Sequence, residues 1–148
     1  MRLVIQRVSR AEVYVKARLL ASIKKGALVF LAVAKADTQQ QADALADKLL
    51  KLRCFADAQG KMNLSLADIA GEILVVSQFT LLADCQGGNR PSFDNAAEPK
   101  PAEELYAYFV KRIKASGLRV ETGEFGAIME VNLANDGPVT FIIDSPDV

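Results

Sequence analysis

Histidine is absent from all 148 residues of the sequence. That removes the side chain that ordinarily serves as a general base near neutral pH, and with it every Ser-His or Cys-His mechanism. A hydrolase built on this chain has to move protons by another route. Cysteine is nearly as scarce: Cys54 and Cys85 stand far apart with no histidine beside them, which argues against a thiolate metal site or a Cys-His nucleophile. They are most simply two reduced thiols of a cytosolic protein. No His/Cys/carboxylate cluster points to a catalytic metal, and no cofactor is implied.

An excess of one charge is missing too. Lys plus Arg and Asp plus Glu number 18 each, so no global field draws the protein toward nucleic acid or an anionic membrane. DNA and membrane are not expected partners, and an RNA partner has to be held by a local patch. Long apolar runs are lacking as well. Met1-Arg-Leu-Val-Ile-Gln-Arg7 interrupts its apolar residues with polar ones and lacks a secretory apolar region. Nothing else approaches the length of a membrane span. A cytoplasmic protein is the expectation from these absences.

What is present is a core. At 51% apolar content, a chain of this length is the size of one domain, residues 1–148. "VIQRV" within Arg2 to Val8 predicts an opening strand, and Val13 and Val15 alternate with polar neighbours as a second. "GALVFLAVA", Gly26 to Ala34, is an unbroken apolar run of strand length, as a central strand covered on both faces would be. Thr38 with Gln41 offers a helix start, and Ala42, Leu45, Ala46, Leu49 and Leu52 recur at helical spacing. "GEILVVSQFTLL", Gly71 to Leu82, is the second strongly apolar strand, and its polar residues Ser77, Gln78 and Thr80 fall at its far end.

The stretch from Ala83 to Pro101 contains "GGNRPSFDNAAEPKP", and loops of that length inside a compact domain are usually functional or disordered. A second helix follows, with Leu105, Phe109 and Ile113 in register and Gly117 at its end. Three more strands are predicted at Arg119 to Glu121, Ala127 to Leu133 and Val139 to Ile143. The last is preceded by "NDGPVT", Asn135 to Thr140, which turn chemistry alone reads as a tight turn. The fold class is α+β: a single β-rich domain of mixed sheets with a barrel-like core and two helices.

Four segments are more specific than their local structure requires: "SQFTL" at Ser77 to Leu81, "GNRPSF" at Gly88 to Phe93, "TGEFGAIMEV" at Thr122 to Val131, and "NDGPVT". In this order they resemble the D-aminoacyl-tRNA deacylase family. The resemblance runs from Met1 to about Asp144 and takes in "MRLVIQRVSRAEVYV" and "FADAQGKMNLSL", with "SQFTL" and "NDGPVT" matching the family's two active-site motifs. It implies a homodimer that hydrolyses the ester joining a D-amino acid to the terminal adenosine of tRNA. By the same resemblance, Gly137-Pro138 is cis and enters the active site of the other subunit, where main-chain carbonyls hold the substrate's α-amino group. An L-amino acid would drive its side chain into that motif, while glycine, having none, would pass.

The carried-over site places Ser77, Gln78, Phe79 and Thr80 at the reacting ester. Thr80 is the obvious nucleophile, yet its hydroxyl has no evident base. Backbone amides near Phe79 and Thr80 acting as an oxyanion hole, with the ribose 2'-OH assisting, is the preferred reading. Arg7 would brace the Gly-Pro loop through main-chain carbonyls, with a solvated strand arginine as its alternative; Phe125 and Met129 would line the pocket or belong to the plain core; and Arg90 would meet tRNA phosphate or simply anchor its loop. Lys24, Lys25, Lys111, Arg112 and Lys114 are further tRNA candidates, although a solvated helix face accounts for the last three equally well. "KARLLAS" at Lys16 to Ser22 departs from the family's Gly-containing turn, and Ala32 to Ala34 lacks an expected glycine. Two rival readings are an aminoacyl-tRNA-binding module without catalysis and a small esterase using Cys85 or Thr80.

Overall fold

A computed structural model describes residues 1–146. Its strands are β1 (Arg2–Val15), β2 (Arg18–Ile23), β3 (Gly26–Ala32), β4 (Phe55–Ala56), β5 (Met62–Leu64), β6 (Glu72–Ser77), β7 (Val120–Thr122) and β8 (Met129–Asp144), with helices α1 (Gln39–Lys51) and α2 (Pro99–Lys114). The main sheet runs β2-β1-β3-β6-β7, and β8 lies along the remaining edge of β1. β4 and β5 form a separate small pair around the turn at Gly60.

β3 and β6 are parallel, and their apolar runs are buried on both sides. Ala27, Val29, Leu31, Ile73 and Val75 face the helices, packing on Leu45 and Leu49 of α1 and Phe109 and Ile113 of α2. Leu28, Leu74 and Val76 face the other way, into a second core with Val8, Ala11, Val13, Ala21 and Ile23. That second cover exists because β1 bends. Its first half pairs with β3 and its second half with β2. A bulge between Val8 and Arg10, where two residues of β1 advance against one of β8, re-aims the strand so that its far half curls over the sheet. The result is a mixed, barrel-like sheet with two helices on one side.

The two strands predicted at Arg2 to Val8 and Val13 to Val15 are therefore one. The polar stretch at Ser9 and Arg10 that interrupts the apolar pattern is the bend. The predicted strands at Ala127 to Leu133, from Met129 on, and Val139 to Ile143 are likewise both part of β8, because both flanks pair with the same strand, β1. Between Thr140, opposite Gln6, and Asn135, opposite Val8, the chain leaves the ladder and returns. "NDGPVT" is thus an excursion from a continuous strand rather than a turn that starts a new one. Gly71 to Leu82 is strand only as far as Ser77, after which Phe79–Leu82 form a 3-10 turn. The departure at "KARLLAS" has a local consequence: Lys16 (φ 50) and Ala17 (φ 61) hold the β1-β2 turn in the left-handed region without a glycine.

Thr38 caps α1 as predicted. Its hydroxyl accepts from Gln40 N, and the Gln41 side chain accepts from Thr38 N. The helices are parallel to one another, since Tyr108 bonds Asp43 and Arg112 bonds Asp47 at the same sequence offset. Each starts beyond the C-terminal end of a sheet strand and runs back toward the N-terminal ends of β3 and β6. This direction fixes which charges gather at which end of the molecule.

Candidate active site

At the C-terminal ends of β3 and β6 a cavity of about 590 Å³ opens, floored by Leu31, Val76 and Ser77 and walled by Gln78, Phe79, Phe93, Tyr106, Phe125 and Met129. β6 positions the polar corner. Ser77 pairs with Leu31, Gln78 N–H donates to Leu31 O at 2.8 Å, and the chain then turns sharply into the 3-10 segment. Gln78 offers that segment no side-chain cap. Among the described residues, the amides of Phe79 and Thr80 donate to no protein acceptor, as the first N–H groups of a helical turn ordinarily do not. The Gln78 carboxamide instead donates to Thr80 Oγ1.

Aromatic packing sets the rim. Phe79 is 56% exposed and meets Phe93 edge-on at 5.0 Å. The Tyr106 and Phe125 rings lie 5.7 Å apart. Tyr106 O–H donates to Val75 O at 2.9 Å, and burial pushes its hydroxyl pKa up, so it is a fixed donor and not a proton acceptor in the working range. Arg2 anchors the 3-10 turn from behind, its Nη1 donating to Leu81 O at 3.0 Å. Its Nε and Nη2 fork onto Asp144 at 2.6 and 3.0 Å, and this bond is the main reason the Asp144 pKa is lowered. Sequence reasoning did not single out Arg2 or Tyr106, and it picked out Phe93 only as the end of "GNRPSF". Arg2 and Tyr106 lie far along the chain from "SQFTL" and reach it through the β1-β8 pairing and the start of α2, while the Asp84-Ser92 bridge folds Phe93 back onto Phe79.

Ser77, Gln78, Phe79, Thr80, Phe125 and Met129 are thus assembled in and around one cavity. Arg7, Gly137 and Pro138 are not. They lie level with Ala27 and Gly26 at the opposite end of β3, about 13–17 Å along the strands from Leu31, the partner of Ser77, at roughly 3.3 Å per residue. There the Gly137-Pro138 bond is cis and both residues are exposed. Gly137 has φ 146, and a Cβ on it would sit 2.6 Å from Val139 Cγ2. The excursion is pinned from both sides. Asn135 Oδ1 accepts from Val139 N–H at 2.7 Å, while Arg7 donates from Nε to Asp136 O at 2.9 Å and from Nη1 to Cys54 O at 2.7 Å.

Arg90 sits at an exposed turn of the long loop, where no hydrogen bond or ion pair engages its side chain among the described residues. Arg112 is taken up by Asp43 and Asp47, which weakens its standing as an RNA contact. Lys24, Lys25, Lys111 and Lys114 are exposed. Cys54 is buried and Cys85 exposed, both unpaired by disulfide. Among the described residues no group of His, Cys, Asp and Glu is arranged to hold a metal ion, and no helix is long and apolar enough to cross a membrane.

The sequence model of the family described as D-Tyr-tRNA(Tyr) deacylase matches residues 4–144. The D-aminoacyl-tRNA deacylase of Thermosipho melanesiensis is 56% identical over 149 residues, covering 100% of this chain and 99% of that protein. The Aquifex aeolicus protein of the same name is 55% identical over 148 residues and covers 100% of both. A solved structure described as c-Myc DNA Unwinding Element Binding Protein superposes with a TM-score of 0.94 at 39% identity, over 99% of this chain and 100% of that one. A probable eukaryotic D-amino acid tRNA deacylase shares the fold, with a TM-score of 0.84 at 17% identity over 96% and 97%.

Proposed function

The chain belongs to the D-aminoacyl-tRNA deacylase family, and from that premise we propose that it hydrolyses the ester between a D-amino acid and the 3'-terminal adenosine of tRNA in the cytoplasm. The observation that carries the reading is the polar corner at Ser77 to Thr80: two unengaged amides at the mouth of an apolar cavity otherwise large enough for an aminoacyl-adenosine.

In this mechanism, water adds to the ester carbonyl carbon and the developing oxyanion is held by the amides of Phe79 and Thr80. One such donor is typically worth about 2.7–4 kcal/mol. The C–O bond to the ribose 3'-oxygen then breaks, releasing the amino acid and a tRNA with a free 3'-OH. With no histidine in the chain, the vicinal 2'-OH serves as the proton relay. Thr80 is a positioning residue, since its hydroxyl is already engaged by a Gln78 amide donor, and an amide accepts no proton from a nucleophile.

Chirality is read in trans within a homodimer. Gly137 and Pro138 sit too far from their own cavity to act on it, are exposed, and are held rigidly by Arg7 and Asn135, a combination suited to insertion into the partner's cavity. There their carbonyls take the α-amino group and leave space on the D side only. Glycyl-tRNA is a secondary substrate, because it presents no side chain to exclude.

One assay tests this: purified protein incubated with D-aminoacyl-tRNA, its L counterpart and a free D-amino acid ester, with and without chelator. The expected result is hydrolysis of the first alone, indifferent to chelator. Equal rates on D and L would sink the chiral selector, and hydrolysis of the free ester would favour a general esterase. Thr80→Ala should retain most of the turnover, whereas a substrate ending in 2'-deoxyadenosine should not react.

A further inference from the structure

In a chain of zero net charge the cations are not evenly spread. Because α1 and α2 are parallel, their last turns finish side by side, and they carry Lys48, Lys51, Lys111 and Lys114, all exposed, with exposed Arg53 just beyond α1. A surface cleft at the end of α1 is lined by Lys48, Lys51 and Arg53. Asp47, the carboxylate in that cleft, is already bound by Arg112 at 2.7 Å, and its contact with Lys51 Nζ is a loose 3.8 Å. Helix C-termini attract cations, but that effect fades within a turn and does not require two helices to pool theirs. The cavity rim has the reverse character. Glu98 lines it, Asp84 and Asp94 are exposed on the loop that borders it, and Glu103 and Glu104 stand on the following turns of α2, while Lys35, Arg90 and Lys100 answer three of those five charges.

An RNA end entering the cavity therefore meets carboxylates on the subunit that will cleave it. Its own subunit's basic cluster lies at the far end of the helices, and α2 alone, 16 residues long, spans about 24 Å. That basic cluster is, however, tied to the Gly137-Pro138 excursion. Arg7 bonds Asp136 O on the excursion and Cys54 O, directly after Arg53, with the same guanidinium. Whatever cavity receives the excursion receives the end of α1 beside it.

We propose that the paired C-terminal ends of α1 and α2 form the docking surface for the phosphates of the substrate's acceptor stem, and that they serve the cavity of the partner subunit rather than their own. This rests on the trans reading above. The contact is made to phosphate, so it supplies affinity and register without base preference. Each dimer would thus grip two RNA molecules, each held by one subunit and cleaved by the other.

The test compares the dimer with its Lys48→Glu/Lys51→Glu variant on full-length D-aminoacyl-tRNA and on D-aminoacyl-adenosine, which has no phosphate. The expected outcome is a KM for tRNA raised at least about tenfold, with the log KM against log salt slope reduced by about 2, and unchanged turnover of the adenosine ester. Equal tRNA kinetics for both proteins would overturn the docking surface, as would a parallel loss on both substrates. A parent dimer that cleaves neither substrate would instead sink the deacylase reading itself. Mixed dimers separate trans from cis: the charge-reversed chain is paired with a chain whose cavity is filled by Ala127→Trp, or by Ala97→Trp should the first fail to dimerise. Recovery of the low tRNA KM supports trans service, and its absence refutes it. Binding of the parent to phosphatidylserine vesicles, lost in the variant while tRNA kinetics hold, would assign the patch to membrane and overturn the proposal.

Discussion

Arg7→Ala separates loop positioning from mere stability. The Arg7 side chain is 13% exposed and spans two main-chain carbonyls, Asp136 O at 2.9 Å and Cys54 O at 2.7 Å, with Asp136 Oδ2 at 3.4 Å. A hydrogen bond to a charged donor is worth about 1.5–3 kcal/mol. The Cys54 bond is the drier of the two and bears mainly on folding, so its loss should cost about 2 kcal/mol, or about 4–8 °C in Tm for a domain of this size. The Asp136 bond orders the excursion. Asp136 is 46% exposed and water will replace part of what is lost, which puts its share at about 1.5 kcal/mol and predicts about a tenfold fall in kcat/KM on D-aminoacyl-tRNA. With the excursion as the selector proposed above, hydrolysis of the L substrate should rise relative to the D substrate. Arg7→Lys should fall between, since an ammonium reaches one carbonyl but does not fork onto two. Steady-state kinetics on both substrates, beside a thermal melt, decide it. A variant that loses Tm but keeps kcat/KM within about twofold, with the D/L ratio unchanged, would show Arg7 to be a structural strut only and refute the positioning role.

Three further outcomes follow from local geometry. Gly26→Ala should not yield folded protein, judged by circular dichroism of the soluble fraction, because its Cβ would lie 1.8 Å from Glu72 O where β3 and β6 begin. Ala17→Gly should raise Tm, since Ala17 holds φ 61 in a region that costs a non-glycine residue about 1 kcal/mol; an unchanged or lower Tm would mean the turn is not limiting. Asp57, Asp68 and Asp144 all have folded pKa values below 3.8, through bonds from Asn63 and the Lys61 amide, from the Ser65 amide and hydroxyl, and from Arg2 respectively. The stability they lend is complete above that value and is lost as pH falls through the depressed ones. With no histidine to titrate, Tm should stay nearly level from about pH 7 to about pH 5 and drop below about pH 4. Asp57→Asn should shrink the drop, and a Tm that holds at about pH 3 would contradict this assignment.

Much of the architecture was legible because it is local. The capping residues of α1 are neighbours in sequence, and the apolar runs of β3 and β6 report two-sided burial directly. The amphipathic spacing of Leu105, Phe109 and Ile113 likewise states which side of α2 is buried. Errors came where a partner strand overrules local preference. Ser9 and Arg10 look like the end of a strand and are its bend, and "NDGPVT" has every residue a turn wants, yet β1 pairs on both sides of it and makes it an excursion.

By itself the sequence determined the chemistry available: no histidine, a polar corner at Ser77 to Thr80, a Gly-Pro step, and motifs that identify the family. Only the tertiary structure decided where each sits. Parallel β3 and β6 send "SQFTL" to one end, while the antiparallel run of β1 carries Arg7, and through it Gly137 and Pro138, to the other. The same strand directions make α1 and α2 parallel and gather their lysines away from the cavity. Strand polarity is a property of long-range pairing, which no window of sequence contains, and it is what parts one set of residues into two groups at opposite ends of the sheet.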